Sequence, residues 1–333
     1  MDESTAPDGD RIAAQRSLRG VLEWLWEAAA EPVLTAMSTT PGGPPGPDAG
    51  EPLPRVWWVP GGLMGLLPLH AAGFHTDPGA GPPRRTVMDR VISSYTPTVR
   101  ALRHARRNLP RPSPTDDLRS LIVAMPSTPG LSPLDHAAEE ARRIRALLPH
   151  PVQLTRPGPA ADDHQPPPRS DTPTTAAVLA RLPQYAVAHF ACHAESDRTD
   201  PSQSRLLLGD HATTPLTVAA LARINLTDAR LAYLSACSTA DPGSPDLLDE
   251  AIHLTSAFQL AGFPHVIGTL WPINDRLAAD IAESFYTHLT PGPPGGALDP
   301  ARSATALHHT IRAIRDRYPA TPSLWAGYLH SGA

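Results

Sequence analysis

The chain has 333 residues, 41% of them hydrophobic, so it is large enough for one large domain or two ordinary ones. Its formal net charge is −5, and its acidic and basic residues are interspersed without a basic block or stripe in the linear sequence. This pattern excludes an obvious binding surface for nucleic acid or an anionic membrane, and we expect neither as a partner.

Two cysteines are too few for a secreted disulfide framework. Residues 1–10 are acidic and polar, unlike a secretion signal, and no apolar run approaches the roughly 20 residues that span a bilayer. We therefore expect a cytoplasmic protein.

The chain begins with a predicted disordered tail over residues 1–17. Apolar residues then recur at helical spacing and predict an amphipathic helix over residues 18–37. The Pro/Gly-rich residues 40–54 predict a loop, and short strands are expected at residues 55–60 and 91–95.

A helix is predicted to follow the second of these strands. Thr96 is expected to cap it, Pro97 to occupy its first position, and Arg107 to end it. These elements make up residues 18–116, the N-terminal part of the predicted domain.

From residue 117 to residue 333 the pattern becomes a regular alternation of strands and helices. The predicted strands are residues 121–125, 152–155, 186–191, 230–235 and 265–270. The predicted helices are residues 134–148, 174–182, 216–223, 247–260 and 276–289. Continuous apolar strands that alternate with helices predict an α/β fold with a mostly parallel sheet and helices on both faces.

Three of these strands end in residues with useful chemistry. The segments are 189–193 (HFACH), 234–238 (LSACS) and 270–275 (LWPIND). Functional residues of parallel sheets gather at the carboxyl ends of the strands, so we expect the three segments to meet. A thiolate at Cys237 would be a good nucleophile if the imidazole of His193 took its proton. The alternative from spacing alone is that Cys237 is an inert, buried cysteine.

Zinc is a second alternative, because His189, Cys192, His193 and Cys237 are all residue types that bind this metal. The geometry of an extended strand argues against zinc, since residues 189 and 193 point to one face and residue 192 to the other. We therefore interpret His189 as a core histidine with a hydrogen-bonded ring and Cys192 as a packing residue. No metal and no other cofactor is predicted.

Several motifs resemble the CHAT domain, a bacterial group of caspase-like peptidases related to separase. The matching stretches are residues 58–62 (WVPGG), 67–72 (LPLHAA), 185–193 with Asp197, 200–208, 234–239 (LSACST), 249–262, 266–272 (VIGTLWP) with Asp275, and 325–326. The resemblance implies a caspase-like core over residues 117–333, with His193 as the catalytic histidine and Cys237 as the nucleophile.

The same resemblance implies that the backbone amides of Ala194 and Cys237 hold the oxyanion. Position 194 is commonly Gly in the family, so Ala194 is a departure from its pattern. The block that contains Asp275 resembles the separase stretch whose acidic residue receives a basic substrate side chain, and we assign Asp275 and Trp271 to substrate binding. The alternative is that Asn274 or Asp275 only caps the helix that follows.

The function predicted from the sequence is a cysteine endopeptidase that cleaves a partner protein after a basic residue. The alternative is a catalytically degenerate caspase-like module that binds a protein without cleaving it. A nucleotide-binding Rossmann-like domain would share the strand–helix alternation, but neither its Gly-rich fingerprint nor a Walker Lys is present. We expect two kinds of partner, a protein substrate and a separate sensor or regulator protein.

Overall fold

A computed structural model describes residues 8–39, 53–77, 85–107, 118–155, 172–195, 197, 200–235, 250–290 and 297–333. The helices are α1 (Asp8–Leu25), α2 (Glu31–Thr39), α3 (Val99–Arg107), α4 (Ala137–Arg145), α5 (Thr175–Arg181), α6 (Val218–Leu221), α7 (Glu250–Ala261), α8 (Asp275–His288) and α9 (Ser303–Arg317). The strands are β1 (Arg55–Trp58), β2 (Ile92–Tyr95), β3 (Ser120–Ala124), β4 (Pro151–Thr155), β5 (Val187–Ala191), β6 (His193–Glu195), β7 (Arg205–Leu207), β8 (Leu216–Thr217), β9 (Leu231–Leu234), β10 (His265–Thr269) and β11 (Tyr328–Gly332).

Eight strands form the central sheet in the order β1-β2-β11-β10-β9-β5-β3-β4. The five strands from β10 to β4 are mutually parallel, whereas β11 is antiparallel to β10 and parallel to β2. The predicted α/β class with a mostly parallel sheet is therefore confirmed. The strands β6, β7 and β8 form a second, antiparallel sheet.

Successive residues of β3, β5, β9 and β10 pack alternately into two separate hydrophobic cores. In β3, Ile122 lies in the first core and Val123 in the second. Side chains of α4, α8 and α9 complete the first core, and side chains of α5, α6 and α7 complete the second. Because successive side chains of a strand point to opposite faces, this division places helices on both faces of the sheet, as predicted.

The N-terminal helical segment differs from the prediction. Helix α1 begins at Asp8, so residues 8–17 are helical and the prediction of a disordered tail is wrong for them. Residues 1–7 lie outside the described residues. A π-helical turn, Trp26–Ala30, joins α1 to α2 without a break in the helix. It places the buried Trp26 and Ala30 in the first core.

Helix α3 also differs from the prediction in its cap and its charge. The helix begins at Val99, and the Thr98 hydroxyl accepts a hydrogen bond from the Ala101 N–H at 3.0 Å, so the prediction of a Thr96 cap is wrong. Its nine residues include Arg100, Arg103, Arg106 and Arg107, all of them exposed, and no acidic residue. A basic stripe that the linear charge pattern did not predict is therefore present.

Two elements of the central fold were not predicted, α9 and β11. Strand β11 lies inside the sheet between β2 and β10, although it contains His330 and Ser331. These polar groups have buried partners, since His330 Nδ1 is 2.9 Å from the Ser94 hydroxyl and the Ser331 hydroxyl donates to the Tyr95 carbonyl at 3.2 Å.

None of the helices in the described ranges is both long and apolar enough to cross a membrane.

Buried histidines make acid lability a testable property of this fold. Burial lowers the pKa of His70 and of His265 to about 3 and that of His308 to about 4. An unfolded chain protonates the same histidines near pH 6.5, so below that pH the unfolded state binds more protons than the folded state. Each histidine should then lower the free energy of unfolding by up to about 1.4 kcal/mol per pH unit, from pH 6.5 down to its folded pKa.

We expect the free energy of unfolding, measured in urea, to fall steeply from pH 7 to pH 5. The variant His308→Leu should have a shallower dependence because it removes one depressed pKa, and the buried Nε2 atom of His308 has no hydrogen-bond partner among the described residues. The variant His104→Leu, which changes an exposed histidine, is the matched control and should keep the wild-type slope. Equal stability of the wild type at pH 7 and pH 5 would contradict the expectation.

Candidate active site

Three parallel strands end at the same edge of the central sheet. His189 and Phe190 of β5 are in register with Tyr233 and Leu234 of β9, and Tyr233 is in turn in register with Ile267 of β10. The carboxyl ends of these strands therefore lie side by side at this edge.

His193 lies at this edge, directly after Cys192 and at the start of β6. Its side chain is buried, and its Nε2 atom lies 2.9 Å from the backbone carbonyl oxygen of Ser132. A carbonyl oxygen can only accept a hydrogen bond, so Nε2 must carry the proton of the neutral ring. The Nδ1 atom then carries the lone pair, which is the state that a general base requires.

Cys237 lies outside the described residues, so its distance from His193 is not defined here. The described part of this strand end stops at Ser235, two residues before Cys237.

Cys192 is buried in the second hydrophobic core, which confirms its interpretation as a packing residue. Among the described residues, no group of three or more His, Cys, Asp or Glu side chains is placed to hold a metal ion.

A pocket of about 40 Å³ opens beside His193, with room for about three water molecules. The strand ends contribute Ser235 and Thr269 to its lining, and α4 and α8 contribute two carboxylates, Glu140 and Asp275. Apolar side chains, among them that of Tyr328, form much of the remaining wall. The pocket thus combines a histidine, two acidic groups and an apolar surface, a composition that suits a long cationic side chain.

Asp275 has a structural partner as well as a place in the pocket. Its Oδ2 atom accepts a hydrogen bond of 2.6 Å from the backbone N–H of His136, the residue before α4. The neighbouring Asn274 caps α8, since its side chain accepts from the Leu277 N–H at 3.3 Å. Burial raises the pKa of Asp275 above its usual range, and the bond from His136 partly opposes that rise. Asn274 therefore serves as the helix cap, while the Asp275 carboxylate is turned toward α4 and the pocket.

Glu140 is a second pocket carboxylate, which the sequence interpretation missed. Its side chain is only 2% exposed, and its Oε1 atom lies 3.0 Å from Nε2 of His189. His189 stacks on Tyr233, and its Nδ1 atom lies 3.1 Å from the Tyr286 hydroxyl, which confirms its interpretation as a hydrogen-bonded core histidine. The missed signal was periodicity, because residue 140 shares the apolar face of α4 with the buried Ala137 and Ile144.

The two remaining predicted site residues lie outside the pocket lining. Ala194 pairs with Leu206 across β6 and β7, and its side chain packs in the second core. The indole N–H of Trp271 donates to the Ser323 carbonyl at 2.9 Å, and its ring packs so closely on Gly327 that a Cβ atom there would come within 2.8 Å. These contacts give Trp271 a packing role, and its part in substrate binding stays a prediction.

Comparisons with known proteins agree with the family resemblance of the sequence. The family model of the CHAT domain matches residues 19–333, whereas no curated protein sequence matches the chain. A chain of the Saccharomyces cerevisiae separase–securin complex is similar in structure, with a TM-score of 0.50 and 14% identity over 81% of this chain and 15% of that chain. The structure of the Porphyromonas gingivalis RgpB pro- and mature domains has a TM-score of 0.45 and 11% identity over 73% of this chain and 55% of that chain.

The chain thus spans 55% of the RgpB chain and 15% of the separase chain that it matches. At these identities the likeness to solved structures concerns the fold alone. The fold is that of the caspase-like peptidases, as predicted.

We expect His189, which lies in β5, and His193, which follows the carboxyl end of β5, to have separable roles. His193→Ala should depress peptide turnover by about a hundredfold or more, because it removes the ring that faces the pocket. His189→Ala should chiefly lower the free energy of unfolding, since it leaves Glu140 and Tyr286 without their buried partner. Turnover and urea denaturation of both variants check this, and normal turnover by a folded His193→Ala protein would refute it.

Proposed function

The chain belongs to the CHAT domain family, and from that premise we propose that it is a cysteine endopeptidase with Cys237 as nucleophile and His193 as general base. The observation that carries the proposal is the Nε2 contact of His193 with the Ser132 carbonyl, 2.9 Å long, because it leaves Nδ1 as the basic nitrogen of a side chain that lines the pocket.

Covalent geometry supports the partnership of His193 with Cys237. Two residues of chain span at most about 7 Å, so Cys237 must lie within that distance of Ser235. Ser235 and His193 both line the pocket. The nucleophile that we propose is thus tethered to the pocket by the strand that precedes it.

The proposed reaction needs no cofactor. His193 Nδ1 takes the thiol proton of Cys237, and the thiolate attacks the carbonyl carbon of the scissile peptide bond. The backbone N–H groups of Ala194 and Cys237 stabilise the oxyanion that forms. The protonated His193 then gives its proton to the leaving amine, and the C–N bond breaks to leave a thioester. Water, deprotonated by His193, hydrolyses the thioester and restores the thiol.

The two pocket carboxylates support cleavage after a basic residue, with Arg preferred. A guanidinium group binds a carboxylate through two parallel hydrogen bonds, whereas an ammonium group is a single point charge on a flexible stem. Asp275 offers its carboxylate at the pocket wall, and the negative charge of the buried Glu140 favours a cation in the same space. We infer that the substrate is a protein segment with Arg before the cut.

The partner proteins are a substrate and a separate regulator. A protein substrate follows from the proposed endopeptidase reaction, and the regulator is inferred from the habit of the family. The separase structure that resembles this chain is itself a complex with the protein securin.

We expect Asp275→Asn to abolish the preference for Arg. The substitution keeps the shape of the side chain and an oxygen that accepts from the His136 N–H, but it leaves a desolvated guanidinium without its counter-charge. Breaking one side of such a pair commonly costs about 3–5 kcal/mol, which is at least a hundredfold in kcat/KM. Glu140→Gln should cause a smaller loss, about tenfold, because one oxygen of its carboxylate already lies 3.0 Å from Nε2 of His189.

The measurement is turnover of matched peptides that differ only in Arg, Lys, Asp or Leu before the cut. Cys237→Ala is the blank that should have no turnover, and Cys192→Ala is the matched control that should keep most of it. An unchanged Arg preference in Asp275→Asn, or a preference of the wild type for Asp, would contradict the specificity. Turnover by Cys237→Ala equal to that of the wild type would contradict the catalytic proposal itself.

A further inference from the structure

Helix α3 presents a continuous cationic face to solvent. Arg100, Arg103, His104 and Arg107 lie within about 100° of one another around the helix, because successive residues of an α-helix are about 100° apart. All four side chains are exposed. The rise of a helix gives the face a length of about 10 Å between its first and last residues. We call these four residues the basic face of α3.

The charges of the three arginines in this face are not balanced by acidic groups in the described part of the chain. No ion pair there involves Arg100, Arg103 or Arg107, whereas four arginines of α4 and α9 are paired. Those pairs are Arg142 and Arg143 with Glu139, and Arg312 and Arg315 with Asp89. Like charges three or four residues apart destabilise a helix, so the basic face has an energetic cost, which the helix dipole offsets in part for the residues in the last turn.

The positive charge extends beyond the face to the neighbouring strand β1. The guanidinium groups of Arg55 and Arg106 both stack on the Trp57 ring, with centroid distances of 4.5 Å and 4.3 Å. Burial, with a further contribution from Arg106, lowers the pKa of Arg55 to about 10. Two cations held against one indole repel each other, and an anion bound nearby would relieve that repulsion.

The basic face is distinct from the pocket. Helix α3 follows the carboxyl end of β2, and β2 runs in the direction opposite to β5, whose carboxyl end carries His193. Helix α3 therefore begins at the edge of the sheet opposite to His193, and none of its residues lines the pocket. A partner held by α3 would leave the pocket accessible.

We propose that the basic face of α3 docks an acidic segment of a partner protein. Its length of about 10 Å matches three residues of an extended peptide, which rise about 3.3 Å each. A nucleic acid fits less well, because the net charge of −5 opposes the approach of a long polyanion. The nearby aromatic ring of Trp57 already contacts two guanidinium groups and is not open for base stacking. The docking is independent of the proposed peptidase activity.

The test is binding of fluorescent octaglutamate to the full chain at an ionic strength of about 0.05 M, where charges about 10 Å apart still interact. The face variant is Arg100→Gln, Arg103→Gln, Arg107→Gln. The matched control is Arg16→Gln, Arg223→Gln, Arg317→Gln, which removes three exposed arginines from separate places and lowers the net charge equally. Gln is a good helix former, so α3 should persist, and thermal unfolding of both variants checks that it does.

We expect octaglutamate to bind the wild type and the control alike, and to bind the face variant about tenfold more weakly. The affinity should fall with added salt, and octaglutamine should not bind. No binding of octaglutamate to the wild type, or an equal loss in both variants, would overturn the proposal. Tighter binding through this face of octathymidylate, or of phosphatidylserine vesicles, would also overturn it, because the partner would then be a nucleic acid or a membrane.

Discussion

The parallel register of β3, β5, β9 and β10 is the constraint on which the rest of the structure depends. Hydrogen bonding aligns Ala124 with Ala191 and Phe190 with Leu234, so the strands end at nearly the same height. Side chains that follow the strands must then meet at one edge, where backbone groups are no longer used by the sheet. If the register slipped by one residue, His189 would point to the other side of the sheet. It would then lose its contacts with Glu140 of α4 and Tyr286 of α8.

One buried and one partly buried carboxylate give the pocket negative groups that favour a cation. Burying an acidic group is costly unless it is paired. Asp275 accepts a hydrogen bond from the His136 N–H, whereas Glu140 Oε1 lies 3.0 Å from His189 Nε2 without forming a hydrogen bond. The raised pKa of Asp275 indicates that this compensation is incomplete. A bound guanidinium would supply the missing counter-charge, so the substrate that we propose completes an electrostatic arrangement that the fold leaves open.

The sequence predicted the elements in which apolar residues dominate the pattern and missed two in which buried polar groups interrupt it. Each of the five parallel strands was predicted within two residues of its observed ends. Strand β11 was missed because His330 and Ser331 interrupt its pattern, and α9 because its inward side includes His308, Thr310 and Arg315. Helical periodicity placed Glu140 on the apolar face of α4, but not its neighbour His189, which is 49 residues away in the chain. Pairing of buried polar groups depends on tertiary contacts that a linear pattern does not contain.

Covalent labelling with a peptide that carries Arg before an acyloxymethyl ketone tests the central claim most directly. A thiolate displaces the carboxylate of this group and forms a thioether, so mass-spectrometric mapping identifies the nucleophile and the pocket preference together. The account predicts one adduct per chain, on Cys237, formed much faster than with the matched Leu peptide. An adduct on Cys192, or faster labelling by the Leu peptide, would contradict it.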